Sequence, residues 1–218
     1  MFRTPVPKTD YHIVLDLDET AVHTYMDEDD EKLSGKIKEK IKENPDLIFN
    51  MFYFELNDFG ERRGTGTTQK VYACKRPFLK DFLVFCFRFF KSVNVWSAGE
   101  ERYVHHICKK IFHGNRLPLP KTIFTRNDCT KSPNGMIKPL SDMYKIRRDM
   151  NSSNTMILDD NPTSYSRNKD NGLRILPFEP HIDWLNEKFD DKCLNDVTEW
   201  IQLNLRGTDV RKVSKKLY

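Results

Sequence analysis

Long apolar runs are missing from this 218-residue sequence. No uninterrupted stretch approaches the roughly 18 apolar residues of a membrane-spanning helix. The opening residues, Met1-Phe2-Arg3-Thr4-Pro5-Val6-Pro7-Lys8, also lack the apolar core of a signal peptide. The expectation is a soluble intracellular protein, nuclear or cytoplasmic, with no membrane partner. Cysteine is scarce: Cys74, Cys86, Cys108, Cys129 and Cys193 are odd in number, widely spaced and never in Cys-x-x-Cys form. That pattern argues against a disulfide framework and a zinc site, so the thiols are expected to be reduced. Glycine is sparse, and Gly60, Gly64 and Gly66 do not form a phosphate loop, because Lys70 is misplaced for Gly-x-x-x-x-Gly-Lys-Ser/Thr. Charge of one sign is nearly cancelled, with 36 basic residues against 32 acidic and a net +4. That gives only a weak pull on anionic partners. No internal repeat is present.

What remains is the composition of a soluble globular chain: 38% hydrophobic, 31% charged and 15 phenylalanines. The length suits one good-sized α/β domain over 1–218, expected to be a monomer. Its most informative stretch runs from Tyr11 to Thr24. Ile13-Val14-Leu15 reads as a strand buried on both faces, and it stops at two acids. Residues two apart on a strand share a side, so Asp16 and Asp18 project together while Leu17 turns into the core. Like charges held close require a counter-ion or a shared proton, and Mg²⁺ suits one or two carboxylates plus phosphate oxygens. The alternative is that the acids cap a turn, with Asp18 or Thr20 opening a helix.

Beyond the acidic stretch Asp27–Glu31, Leu33, Ile37 and Ile41 mark a helix ended by Asn44-Pro45, and the Lys36–Lys42 run is its solvated face. Leu47–Leu56 and Val71–Ala73 suggest a β-hairpin whose basic tip holds Arg62 and Arg63, an exposed turn or else a substrate contact. Pro77 suits the first turn of a helix with a broad Phe-rich face through Phe90. Val93–Trp96 reads as a second buried strand ending at Ser97-Ala98-Gly99, where Ser97 either caps the helix Glu100–Phe112 or helps bind an anion. His105, His106 and Cys108 on that helix fit no metal spacing and are read as structural or surface residues. A Pro, Asn and Gly-rich stretch around a short strand, Thr122–Arg126, leads to Lys138 and a helix reaching about Met150; on local pattern alone Lys138 is a solvent-facing lysine. Thr155–Leu158 is a third buried strand that meets acids, Asp159 and Asp160. Two strands each ending in paired carboxylates point to a shared metal. Leu173–Leu176 reads as a strand, Asp183–Phe189 and Lys192–Leu205 as closing helices, and Arg206–Tyr218 as a basic, solvated tail.

Five motifs occur in order: Asp16-Leu-Asp-Glu-Thr20, Arg76-Pro77, Trp96-Ser-Ala-Gly99 with Tyr103, Lys138-Pro-Leu140, and Leu158-Asp-Asp-Asn-Pro-Thr-Ser-Tyr165. Together they resemble the haloacid dehalogenase (HAD) superfamily, and within it the FCP/SCP-like, or NLI-interacting-factor-like, phosphatases of the RNA polymerase II C-terminal domain. The likeness covers about residues 10–180. It implies a HAD-like Rossmannoid α/β fold: a parallel sheet flanked by helices, with a β-hairpin insertion after the first motif at about 46–74 and C-terminal helices and tail at about 183–218. It implies a Mg²⁺-dependent phosphoprotein phosphatase with Asp16 as the nucleophile that forms an aspartyl-phosphate and Asp18 as acid and base. Ser97, Lys138, Arg76 and Thr20 would serve the phosphate, and Asp16, Asp18, Asp159 and Asp160 the Mg²⁺, Asp18 through its backbone carbonyl. The partner implied is a phosphorylated protein or peptide. The second motif departs from the family's common Thr-Ala-Ser, and Lys138 is followed by Pro139. Two other readings are a phosphatase of a nucleotide or polynucleotide end, resting on the basic tip and tail, and a catalytically silent phosphopeptide-binding or partner-binding module. The presence of both Asp16 and Asp18 argues against the silent module.

Overall fold

In the computed structural model, residues 8–26, 30–57, 68–182 and 191–217 are described. The chain enters through β1 (His12–Leu15) and turns back in β2 (Val22–Tyr25). Helix α1 (Asp30–Glu43) and the single turn α2 (Leu47–Asn50) lead to β3 (Met51–Asn57) and β4 (Thr68–Lys75). Then come α3 (Leu79–Phe89), β5 (Ser92–Trp96), α4 (Glu101–Phe112) and β6 (Ile123–Phe124). A small hairpin, β7 (Thr130–Ser132) and β8 (Gly135–Ile137), precedes α5 (Leu140–Ile146). Strands β9 (Thr155–Asp159) and β10 (Gly172–Arg174) and helix α6 (Cys193–Asn204) complete the set.

The central sheet is parallel, in the order β10-β9-β1-β5-β6. Strand β1 lies in the middle, fully buried, as its unbroken aliphatic run requires. Alternation divides its side chains: Ile13 and Leu15 join the larger core with α3, α4 and α6, while Val14 faces Trp96, Leu140, Met143 and Ile157 on the other side. A second sheet, antiparallel in the order β2-β4-β3, carries the insertion. It is held to α4 by Phe54, whose ring lies 6.1 Å from that of Tyr103 and 5.2 Å from that of His106. His106 is thus a packing residue, and Cys108 is buried. Among the described residues no helix is long and apolar enough to cross a membrane.

The structure corrects several local expectations. The turn after Asp18 opens β2, not a helix, and β2 extends the hairpin to three strands. The helix after Pro77 begins at Leu79, because Phe78 takes the left-handed conformation with φ 61°. Helix α5 ends at Ile146, short of Met150, and the β7–β8 hairpin stands where only loop was expected. The basic tail is tied to the fold over residues 206–217. The Val210 amide donates to the Ser153 carbonyl at 2.9 Å, the Tyr11 hydroxyl to the Thr208 carbonyl at 2.5 Å, and the Val210 side chain is buried. The hairpin tip with Arg62 and Arg63, part of the acidic stretch and the helix expected over Asp183–Phe189 lie outside the described residues.

At the end of the sheet away from the acids, His12 is buried, with Nδ1 2.7 Å from Ser92 Oγ and Nε2 3.1 Å from the Asp149 carbonyl. Burial lowers its pKa from 6.5 to about 4; Asp149 opposes the shift and Arg147 adds to it. The unfolded chain takes up a proton near 6.5 and the folded chain only near 4. The stability contributed by the neutral ring is therefore present above 6.5 and is lost as pH falls through that window. Urea unfolding of the wild type and His12→Gln across this range should show a stability difference that shrinks with falling pH, by at most about 3 kcal/mol. A pH-independent difference would count against this role for His12.

Candidate active site

Asp16 and Asp159 become neighbours because their strands do. Leu15 and Leu158 are paired across β1 and β9, and the Asp16 amide donates to the Leu158 carbonyl at 3.0 Å. Each strand therefore delivers its carboxylate to the same place at the carboxyl edge of the sheet, where open α/β sheets bind ligands. Lys138 joins them from the end of β8, its amide held 2.6 Å from the Ser164 carbonyl. Its Nζ donates to Asp16 Oδ1 at 2.5 Å and to Asp159 Oδ2 at 2.7 Å. Lys138 is only 2% exposed, so the solvent-facing lysine expected from local pattern is corrected by the pairing itself. Stripping water from an ammonium is tolerable only where charge replaces it.

Asp160 completes the cluster. The Thr20 hydroxyl donates to its Oδ1 and accepts from its amide, both at 3.2 Å. The Asn161 amide donates to Asp159 Oδ1 at 2.9 Å. One carboxylate oxygen from each of Asp16, Asp159 and Asp160 lies within 4.8 Å of the others. Burial raises the Asp16 pKa; Lys138 counteracts this, while Asp159 and Asp18 push the same way. For Lys138, burial works downward but is outweighed by Asp16 and Asp159, leaving its pKa raised. Burial, then the Asp159 charge, raises Asp160. Three carboxylates around one ammonium leave excess negative charge, and an all-oxygen donor set of this kind fits a hard divalent cation such as Mg²⁺.

Asp18 faces a different set of groups. Ser97 Oγ donates to its Oδ2 at 3.0 Å, and the buried Tyr103 hydroxyl donates to Oδ1. Ser97 does not cap α4: Glu100 does, accepting from the Tyr103 amide at 3.3 Å. Ser97 Oγ instead accepts from the Gly99 amide at 2.9 Å and stays directed at Asp18. Gly99 is required here, since a Cβ would come within 2.8 Å of the Tyr103 ring. Burial, followed by the Asp18 charge, raises the Tyr103 pKa and keeps the phenol a donor. A cleft of about 250 Å³ opens at Asp18, bordered by Thr24, Met26, Gly99, Glu100, Tyr103 and Arg126. Arg126 is fixed by its Nε donating to the Ala98 carbonyl at 2.8 Å.

Arg76 differs from the phosphate ligand implied by the sequence. It is 1% exposed, and its guanidinium is turned to the Thr20 carbonyl and to Asp191. Its reach to the site passes through the backbone of the first motif. Thr20 likewise engages Asp160 in this structure. Sequence reasoning did not anticipate the link from Thr20 to Asp160, the contact of Tyr103 with Asp18 or the place of Arg126. For Tyr103 a signal existed: it lies six residues beyond Ser97, on the inward stripe of α4 with Val104 and Ile107.

A family model described as NLI interacting factor-like phosphatase matches residues 11–213. The chain belongs to this family. It is 29% identical over 201 residues to a Dictyostelium discoideum protein named "Probable C-terminal domain small phosphatase", covering 92% of this chain and 53% of that one. It is 26% identical over 197 residues to the mouse protein named carboxy-terminal domain RNA polymerase II polypeptide A small phosphatase 2, covering 90% and 58%. The chain thus spans about half the length of these curated relatives. Among solved structures, that of Fcp1, titled an essential RNA polymerase II CTD phosphatase, superposes with a TM-score of 0.60 at 20% identity, over 78% of this chain and 42% of that one. The likeness bears out the HAD-like α/β fold with its parallel central sheet flanked by helices.

In this member of the NLI interacting factor-like family, Lys138→Ala should destabilise the fold by about 3–5 kcal/mol near neutral pH, since it leaves two buried carboxylates without their cation. The loss should shrink in acid as Asp16, already raised by burial, takes up a proton. Urea unfolding at several pH values checks both; a loss that does not vary with pH would be incompatible with this charge balance.

Proposed function

We propose that this chain is a Mg²⁺-dependent phosphoprotein phosphatase acting through an aspartyl-phosphate. What carries the reading is the convergence of Asp16, Asp159 and Asp160 with Lys138 beside a separately held Asp18. Phosphoryl transfer asks chiefly for positioning and charge neutralisation, and this cluster offers both. Asp16, Asp159 and Asp160, with the backbone carbonyl of Asp18, would hold the cation. Bound there, Mg²⁺ neutralises charge on the phosphoryl oxygens and favours the ionised carboxylates.

In the first step an Asp16 carboxylate oxygen attacks phosphorus, and the bond to the seryl or threonyl oxygen breaks. Asp18, having taken a proton, gives it to the leaving alkoxide. In the second step Asp18 accepts a proton from water, whose oxygen attacks the aspartyl-phosphate, releasing phosphate and restoring Asp16. Lys138 offsets negative charge at Asp16 and Asp159 and offers its ammonium to a phosphoryl oxygen. Ser97 Oγ, now on Asp18, can turn its proton to the same phosphate. Arg76 supports the site by holding the Thr20 carbonyl.

The substrate we propose is a phosphorylated protein segment, with the RNA polymerase II C-terminal domain as the first candidate because relatives and a structural neighbour carry that name. An extended phosphopeptide also suits the open cleft at Asp18. The purified chain should hydrolyse a generic aryl phosphate only when Mg²⁺ is supplied. Asp16→Asn should abolish turnover while the circular dichroism spectrum is retained, and Asp18→Asn should lower kcat by about 10²–10⁴-fold. Phosphoserine and phosphothreonine peptides, including polymerase-tail repeats, should outperform nucleotides. Full activity in folded Asp16→Asn would refute the nucleophile, and a folded, Mg²⁺-binding wild type without turnover would refute the enzyme.

A further inference from the structure

Asp191 belongs to none of the five motifs, yet it is the carboxylate that pairs with the buried Arg76. We propose that Asp191 is a positioning residue: it fixes Arg76, and through Arg76 the turn Asp18–Thr20 and the metal-site carboxylate of Asp160. The kinetic part of this inference rests on the phosphatase reading above; the structural part does not.

Arg76 Nε donates to Asp191 Oδ2 at 3.0 Å, and its second terminal nitrogen lies 2.8 Å from the same oxygen. The other oxygen, Oδ1, accepts from the Cys193 amide at the start of α6 at 2.9 Å. Asp191 is thereby anchored at both oxygens. The remaining guanidinium nitrogen donates to the Thr20 carbonyl at 3.2 Å and reaches the Glu19 carbonyl at 3.5 Å. The Arg76 amide also holds the Ala21 carbonyl at 3.0 Å. Phe178 closes the arrangement, its ring centroid 5.5 Å from the guanidinium carbon and its amide donating to the Glu19 carbonyl at 2.6 Å.

Glu19 adopts φ 58°, a left-handed conformation that a residue with a side chain keeps only where its surroundings over-determine it. Carbonyl acceptors at Glu19, Thr20 and Ala21 all meet Arg76 or Phe178, and the Thr20 hydroxyl then meets Asp160. A guanidinium cannot shed its proton, so a buried one without its carboxylate must move or draw water inward. Either response releases the Thr20 carbonyl. Asp191 therefore acts at a distance, through Arg76, whose guanidinium grips the turn between Asp16 and β2.

The test uses the full chain as Asp191→Ala, Asp191→Asn and the conservative Asp191→Glu. Amide hydrogen exchange reads the turn directly, because the Glu19, Ala21 and Val22 amides are bonded within it to Val22 and Leu17 carbonyls. In Asp191→Ala these amides should exchange faster while those of Ile13–Leu15 keep their protection. Calorimetric Mg²⁺ titration should show weaker binding. With an aryl phosphate, kcat should fall about 10- to 100-fold, with KM little changed, and Asp191→Glu should recover more of it than Asp191→Asn. Unchanged exchange in the turn, acceleration spread equally over β1, or wild-type kcat in folded Asp191→Ala would each overturn the inference. If the wild type hydrolyses no phosphate ester, the phosphatase reading fails, and exchange together with Mg²⁺ binding still decides the role of Asp191.

Discussion

Everything at the carboxyl edge of the sheet follows from the repulsion between two acids on neighbouring parallel strands. Pairing β1 with β9 is a backbone matter, driven by ladder hydrogen bonds and by aliphatic side chains on both faces. The register then brings Asp16 and Asp159 together out of water, at a cost that neither could meet alone. Lys138 supplies the answer with one ammonium shared between two carboxylates. Its position explains the small hairpin that carries it and the short contact of its amide with Ser164. The pair leaves charge over: Asp160 adds another negative group, a surplus that the proposed divalent cation would offset.

A division of labour is visible in how the two acids of the first motif are treated. Asp16 is sealed in and faces the ammonium of Lys138. Asp18, two residues on, meets the hydroxyls of Ser97 and Tyr103 beside an open cleft. Leu17 between them is fully buried and acts as the peg that fixes both. A nucleophile and a proton carrier, the roles proposed for Asp16 and Asp18, would need different surroundings, and a buried leucine with a left-handed Glu19 behind it gives one short stretch two of them.

Much of this was legible in the sequence, for reasons that differ from residue to residue. The aliphatic runs at Ile13–Leu15, Val93–Trp96 and Thr155–Leu158 announced central parallel strands, because burial on both faces leaves no room for polar alternation. The acids closing two of those runs announced the site. Lys138 was illegible locally, since nothing in its neighbours marks it as buried; its partners Asp16 and Asp159 lie 122 and 21 positions away at the ends of other strands. Arg76 was legible as important, but its partners Thr20 and Asp191 were not, because Arg-Pro shows a fixed turn and not which way the guanidinium faces. Strand β2 was hidden by its polar content, Val22-His23-Thr24-Tyr25, which suits an edge strand and gives weak alternation. The tail was taken for solvent because of its lysines and arginines, whereas buried Val210, with Val213 and Leu217 packed against the core, ties it down.

The adjacency of β1 and β9 has a consequence in time. Asp16 and Lys138 are 122 residues apart, and Thr20 and Asp160 are 140 apart. A chain emerging from the ribosome presents its first acid pair long before the strand and lysine that complete the site exist. Contacts so remote in sequence are closed late, after the local helices and hairpins have formed. The carboxylates made first therefore wait for their partners, and a nascent fragment that ends before Asp160 lacks the charge arrangement of the finished centre.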